Sequence, residues 1–81
     1  MGRFIYGLSG FAVALFNLGL LHSDPGHERN LVEAYKWFSL AAQRGMDEGG
    51  WRVGRLSDQM TPAQIAEAQR KARAWLAQNP G

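Results

Sequence analysis

The chain has 81 residues, enough for one small domain, and 46% of them are hydrophobic. Nine Lys and Arg oppose seven Asp and Glu, and both signs are spread along the chain. The sequence therefore offers no basic patch for nucleic acid or an anionic membrane surface. Cysteine is absent, which excludes disulfides and cysteine-based metal sites and leaves the cellular compartment open.

The N-terminal part contains an uncharged run at residues 4–21, preceded by Arg3. Such a run is the outline of a signal peptide or a membrane anchor, and residues 12–14 have the small-x-small pattern of a cleavage site. Cleavage there would leave an unusually short signal, and several Gly, Ser and Asn residues interrupt the run. We therefore predict a helix over about residues 11–22 in a cytoplasmic protein, with a membrane-associated or exported (periplasmic) protein as the alternative.

The second predicted helix, over about residues 31–44, has a signal at both ends. Asn30 is a favourable N-cap, and Glu33 stands where it can complete a capping box. Gly45 follows the last apolar residue and can take the left-handed conformation that ends many helices. One face is apolar at helical spacing, through Leu31, Ala34, Tyr35, Phe38, Ala41 and Ala42.

Two further helices are predicted over about residues 46–59 and 62–78. The third helix has three internal glycines, each of which costs about 1 kcal/mol relative to alanine, so neighbouring helices must hold it. The fourth has Thr61 as its N-cap, Pro62 in the first turn and Gln64 to complete a capping box. Its expected buried stripe is Ile65, Ala68, Ala72, Trp75 and Leu76, and Glu67 is expected to pair with Lys71.

The sequence also matches itself when it is shifted by 35 residues. Each copy has a turn glycine, a small residue and then an apolar–Gly pair, all on one side of a helix, with the glycine or alanine where a partner helix is expected to cross. The matched pairs are Gly10 with Gly45, Ala14 with Gly49, Leu18 with Val53, Gly19 with Gly54, and Leu21 with Leu56. The chain thus divides into one repeat at residues 10–45 and a partial second repeat with a closing helix at residues 46–81. Residues 1–9 are the end of a preceding repeat or an N-terminal extension.

These motifs resemble the Sel1-like repeats, which are relatives of the tetratricopeptide repeats. The resemblance lies in Ala14-x-x-x-Leu18-Gly19-x-x-His22, in Asn30-Leu31-x-x-Ala34-x-x-Trp37-x-x-x-Ala41-Ala42-x-x-Gly45, and in the final helix from Thr61, which is similar to the closing helix of bacterial arrays. It implies an all-α solenoid of antiparallel helix pairs that acts as a protein-interaction scaffold. The sequence departs from the family at His22, where tyrosine is usual, and at Gly49 and Gly50, where alanine is usual.

No residue pattern indicates catalysis, a cofactor or a metal site. His22 and His27 are five positions apart across a predicted loop, which is poor ligand spacing. Capping accounts for Glu33, and loop solvation accounts for Asp24 and Glu28. The serines lack a base within any motif, so we expect a protein that is not an enzyme.

The resemblance implies that a protein or peptide partner binds on the face of the first helices of the pairs. The residues that would line this face are Val13, Asn17, Leu20, Arg52 and Arg55. Trp51 joins them as a tryptophan between polar neighbours, although burial under the terminal helix is an equal alternative for it. A merely solvated groove is the other alternative for this face. Trp37 and Trp75 lie near the apolar stripes and are expected in the core.

A repeat array also needs its open end covered. Two repeats are fewer than such arrays usually need for stability. Phe4, Ile5, Phe11 and Leu15 have no covering repeat in this chain. We therefore expect self-association, or that the chain is part of a longer array.

Overall fold

Four α-helices account for most of the computed structural model, which describes residues 10–25 and 30–80. They are α1 (Gly10–Ser23), α2 (Leu31–Gln43), α3 (Asp47–Ser57) and α4 (Pro62–Gln78). The described ranges contain no strand. The predicted all-α class and all four helices are confirmed. The predictions for residues 1–9, His27 and Glu28 fall outside the described ranges.

Both ends of α2 are closed by local hydrogen bonds. Asn30 Oδ1 accepts a bond of 3.1 Å from the amide of Glu33, as predicted. At the other end Gly45 has a φ of 99°, and its amide donates to the carbonyl of Ala42. The Met46 amide donates to the carbonyl of Ala41. These two bonds form a Schellman motif, in which only glycine takes the left-handed position without strain.

The predicted capping box is wrong at α2 and confirmed at α4. At α2 the amide of Asn30 donates to the carbonyl of His22 over 2.9 Å, so it does not donate to the Glu33 carboxylate as a capping box requires. At α4 the amide of Thr61 donates to Gln64 Oε1 over 2.8 Å, and the Gln64 amide donates to Thr61 Oγ1 over 3.1 Å. The helix α4 therefore begins at a fully satisfied cap.

The helix α2 lies at the centre of the described structure, since every extensively packed pair of helices includes it. Three neighbours cover it from different directions, and it is consequently buried around most of its circumference. Its buried residues are Ala34, Tyr35, Phe38, Leu40 and Ala41. Leu40 lies outside the single apolar face predicted for this helix. One apolar face is enough for a helix with fewer neighbours, whereas α2 packs on three helices.

Phe38 of α2 is packed between glycines of the two neighbouring helices. A Cβ atom on Gly19 of α1 would lie 2.6 Å from the Phe38 ring. A Cβ atom on Gly49 of α3 would collide with the Phe38 carbonyl oxygen and lie 3.0 Å from the amide nitrogen of Ala42. Both helices approach α2 more closely than any side chain would allow. Gly54 differs, since a Cβ atom there would meet nothing within 4 Å, and the predicted helix crossing at Gly54 is wrong.

The helices α1 and α3 bury different faces, although the offset of 35 residues matches their sequences. The buried residues of α1 are Ala12, Leu15, Phe16 and Gly19. Their counterparts in α3 are exposed: Asp47, Gly50, Trp51 and Gly54. The positions that α3 turns inward are Met46, Gly49, Val53 and Leu56, whose counterparts on α1 are Phe11, Ala14, Leu18 and Leu21.

The prediction that Leu15 lies uncovered is wrong. Leu15 is only 2% exposed, because it belongs to the face of α1 that packs on α2. Phe11 is 45% exposed, in agreement with the prediction for that residue. Phe4 and Ile5 fall outside the described ranges. In the part of the chain that the structure describes, no helix has the length and apolar character needed to cross a membrane.

Polar side-chain contacts hold α4 against α2. Lys71 Nζ lies 3.2 Å from Glu33 Oε2, and the same carboxylate pairs with Lys36 at 2.9 Å. Gln69 Nε2 donates to Tyr35 Oη over 3.2 Å. The predicted pair of Glu67 with Lys71 is therefore wrong: Lys71 turns to α2, and Glu67 pairs with Arg70 on its own helix at 2.7 Å.

Aromatic rings extend the contact between α4 and its neighbours. The Trp75 ring stacks on Phe11 of α1 with centroids 5.9 Å apart, and it meets Trp37 of α2 edge-on at 5.9 Å. Trp37 and Trp75 are both partly buried against the core cluster, as are Ile65 and Leu76 of the predicted stripe, while Ala68 and Ala72 are buried. The predicted inner face of α4 is confirmed.

The glycine contacts predict opposite effects of the same substitution at three positions. Gly54→Ala should raise the free energy of unfolding by about 1 kcal/mol, because alanine is the better helix former and the added methyl group meets nothing. Gly19→Ala and Gly49→Ala should lower it by about 1–3 kcal/mol, because overpacking outweighs the same gain. Urea unfolding followed by circular dichroism measures all three. Equal stabilisation at the three positions would contradict the close approach of α1 and α3 to α2.

A second prediction concerns Glu33 and pH. Burial raises the pKa of Glu33, but the hydrogen bonds and positive charges of Lys36 and Lys71 outweigh it, so that pKa lies below its usual value of 4.5. A lowered folded-state pKa stabilises the fold above the unfolded-state pKa, and this contribution is lost as the pH falls through the folded-state pKa. Glu33→Gln should thus cost roughly 1 kcal/mol or less near neutral pH.

The measurement compares the unfolding free energies of the wild type and Glu33→Gln from about pH 7 down to about pH 3. The difference between the two proteins should shrink as the pH falls below the usual value of 4.5. Glu67→Gln is the control, because Glu67 pairs within α4 and should leave the contact of α4 with α2 unchanged. A wild-type advantage that stayed constant to the lowest pH would contradict the proposed ion pairs.

Candidate partner-binding site

A groove of about 330 Å³ lies where the end of α1 meets α2 and α3. We call it the Trp51 groove. Its lining residues are Ser23, Phe38, Trp51, Arg52, Arg55, Leu56 and Gln59. Five of these seven lie on α3 or in the turn that follows it, where helical spacing brings positions three or four apart onto one face.

The Trp51 groove combines an apolar floor with an exposed aromatic wall. Phe38 and Leu56 are 1% and 6% exposed, and both belong to the core cluster. Trp51 is 57% exposed, the largest exposed fraction among the large hydrophobic residues described. The alternative that the terminal helix buries Trp51 is therefore wrong. A large indole held at the rim of a concave surface offers apolar area to a partner.

Arg52 crosses the groove floor and joins three helices. Its guanidinium carbon lies 5.7 Å from the Phe16 ring of α1, 5.8 Å from the Phe38 ring of α2 and 5.9 Å from the Trp51 ring. Its carboxylate partner is Glu48, at 3.8 Å. The Nε atom is buried without a hydrogen-bond partner. Arg52 therefore contacts aromatic rings as well as a carboxylate. Because Glu48 is 3.8 Å away, it neutralises the charge of Arg52 only weakly.

Arg55 is the more available cation of the groove. Its guanidinium carbon lies 5.0 Å from the Trp51 ring, which orients the planar group by a cation–π contact. Within residues 10–25 and 30–80, no carboxylate pairs with Arg55. The side chain is exposed at the groove edge. An oriented guanidinium without an internal partner suits bidentate binding of a carboxylate.

A second cleft of about 270 Å³, beside Trp75, provides a comparison. It contains Lys36 and Lys71, but both of these cations are bound to Glu33. Its charges are thus satisfied within the protein and serve the contact between α2 and α4. In the Trp51 groove, by contrast, the exposed Arg55 has no carboxylate partner among the described residues.

The structure brings together three of the six residues expected at a partner site. Trp51, Arg52 and Arg55 line one groove. Val13 and Asn17 are exposed on α1 but do not line it. Leu20 is partly buried and packs against the core cluster.

Four lining residues were not foreseen. Gln59 stands four positions after Arg55, so helical spacing could have indicated it. Phe38 and Ser23 belong to other helices, and Leu56 was seen only as a repeat position. Their part in the groove follows from how α1, α2 and α3 pack.

The described residues hold no group of three or more His, Cys, Asp and Glu that could bind a metal ion. Comparisons with known proteins gave no match to a protein-family model, a curated protein or a solved structure. The similarity to Sel1-like repeats therefore rests on the sequence motifs alone.

Proposed function

We propose that the chain is a non-catalytic protein-interaction module of the Sel1-like repeat type, which binds an acidic peptide segment of a partner protein in the Trp51 groove. The observation that carries this proposal is the placement of Trp51, 57% exposed, beside Arg52 and Arg55 above an apolar floor. Tryptophan and arginine are the residue types most enriched among those that dominate binding energy at protein interfaces.

The chemistry of the groove determines the class of partner. The apolar floor and the Trp51 ring accept an aliphatic or aromatic side chain, whose burial against them is favourable. Arg55 donates hydrogen bonds to a carboxylate one or two residues away on the same peptide. A volume of about 330 Å³ is at the small end of ligand sites. We therefore propose a short motif in which an apolar residue neighbours Asp, Glu or a C-terminal carboxylate.

The repeat architecture is part of the same proposal. We infer that α1 and α2 form one antiparallel helix pair, as in a solenoid, and that α3 and α4 are the first and closing helices of a partial second repeat, in which α4 packs mainly on α2 rather than on α3. Two observations support this inference: α2 packs with the helix before it and with both helices after it, and its ends carry the Asn30 and Gly45 caps of the repeat motif. In this arrangement the Trp51 groove lies between α1 and α3, the first helices of the two repeats.

The proposal predicts which peptides the intact chain selects from a random library displayed on phage. Selected peptides should be enriched in Asp or Glu next to Leu, Ile, Phe, Tyr or Trp. Binding of a fluorescent synthetic version, measured by anisotropy, should weaken roughly thirtyfold in Trp51→Ala and about tenfold in Arg55→Gln. Affinity should also fall as salt is added, because part of it is a charge interaction.

Arg73→Gln is the matched control, since Arg73 is an exposed arginine of α4 and the variant loses the same charge. It should bind the peptide as the wild type does. Thermal unfolding checks that Trp51→Ala and Arg55→Gln remain folded. We expect that they do, because both side chains are exposed. Selected peptides without acidic residues, or equal affinity in all four proteins, would overturn the proposal.

A further inference from the structure

A second surface lies on the outer side of α1 and is separate from the Trp51 groove. It consists of Phe11, Ala14, Leu18 and Leu21, which we call the α1 stripe. The three large residues are 45%, 37% and 45% exposed, and Ala14 is exposed as well. Their spacing of three, four and three positions is that of the a and d residues in a two-heptad helix seam. The stripe therefore has the pattern of a helix-packing surface.

The whole of α1 lacks formal charge between Gly10 and Ser23, since it contains no Asp, Glu, Lys or Arg. One face is buried against α2, and the α1 stripe lies on the exposed side, where Phe11 is partly covered by the Trp75 ring. A helix that is apolar all round is typical of positions buried on both sides. The residues of the stripe carry no charge themselves, so they do not repel those of a second copy; the Arg44 guanidinium lies over the Phe11 ring at one end, 4.7 Å from its centroid.

The equivalent stripe of α3 is already a helix contact within the chain. The positions that follow the α1 stripe by 35 residues are Met46, Gly49, Val53 and Leu56. Gly49 and Leu56 are buried, and Met46 and Val53 pack against the core cluster. In α3 this pattern thus receives a neighbouring helix, α2. The α1 stripe has the same spacing, but among the described helices only α4 touches it, through Trp75 stacked on Phe11 at one end, and Ala14, Leu18 and Leu21 remain exposed.

The order of residues along the stripe favours a second copy in antiparallel orientation. When α1 meets an antiparallel copy of itself about a two-fold axis near position 16, Phe11 pairs with Leu21 and Ala14 pairs with Leu18. Every layer then joins an a position to a d position, as in antiparallel coiled coils, and the small Ala14 leaves room for Leu18. A parallel copy would place Ala14 against Ala14 and leave a gap.

We propose that two copies of this chain dimerise through the α1 stripe, with their α1 helices antiparallel. The contact is isologous, so each stripe meets itself and the assembly closes at two copies. The paired segment from Phe11 to Leu21 is short, about 15 Å at 1.5 Å per residue. The dimer therefore has a dissociation constant of micromolar order or weaker, and it leaves both Trp51 grooves available.

Sedimentation equilibrium of the intact chain, from about 1 µM to about 1 mM, tests this proposal. The wild type is expected to change from monomer to dimer across this range. Leu18→Glu should raise the dissociation constant at least about thirtyfold, because it buries an unpaired carboxylate in each of two layers. Val13→Glu is the matched control: Val13 is 39% exposed, against 37% for Leu18, but lies off the stripe. It should change the constant less than threefold.

A charge-swap experiment tests the orientation. Ala14→Lys and Leu18→Glu should each be monomeric alone and should form a heterodimer when mixed, because the antiparallel register places the new lysine opposite the new glutamate. Circular dichroism of each variant checks that it remains helical, and Ala14→Lys serves if Leu18→Glu does not fold. A monomeric wild type at all concentrations, as expected if residues 1–9 or another protein cover the stripe, would overturn the proposal. An equal loss of dimerisation in Val13→Glu would also overturn it. So would a mixture of Ala14→Lys and Leu18→Glu that stays monomeric.

Discussion

Packing at Phe38 sets the distance of two helices from α2, and the position of the groove follows from it. Gly19 lets the backbone of α1 approach the Phe38 ring, and Gly49 lets α3 approach the Phe38 carbonyl oxygen. The ring also lies beside Phe16, with centroids 5.1 Å apart. Because interiors transmit small displacements rather than absorb them, a side chain at either glycine would move a whole helix.

The same ring forms part of the floor of the Trp51 groove. Arg52 lies over it and over Phe16, which connects the cation of the groove to the contact between α1 and α2. Core packing and the proposed binding site therefore share residues. The exposed members of the site, Trp51 and Arg55, are the ones that can change without disturbing that packing.

Local signals were sufficient to predict the helices and most of their ends. The caps at Asn30, Gly45 and Thr61 involve hydrogen bonds that span five residues or fewer, so the sequence around each cap contains the whole interaction. Partners distant in the chain were not predictable. Lys71 binds Glu33, which is 38 positions away, although Glu67 stands at a favourable spacing on its own helix. The buried face of α1 was equally hidden, since both of its faces are apolar.

The central place of α2 has a consequence for the order in which the chain assembles. The contacts of α1 and α3 with α2 join neighbours along the chain, and such local contacts form quickly. Those of α4 reach back 34 and 38 positions, through Gln69 to Tyr35 and through Lys71 to Glu33. Closing that larger loop costs more conformational entropy. We therefore expect α4 to dock last and to detach first, so that its backbone amides exchange with solvent deuterium before those of α2.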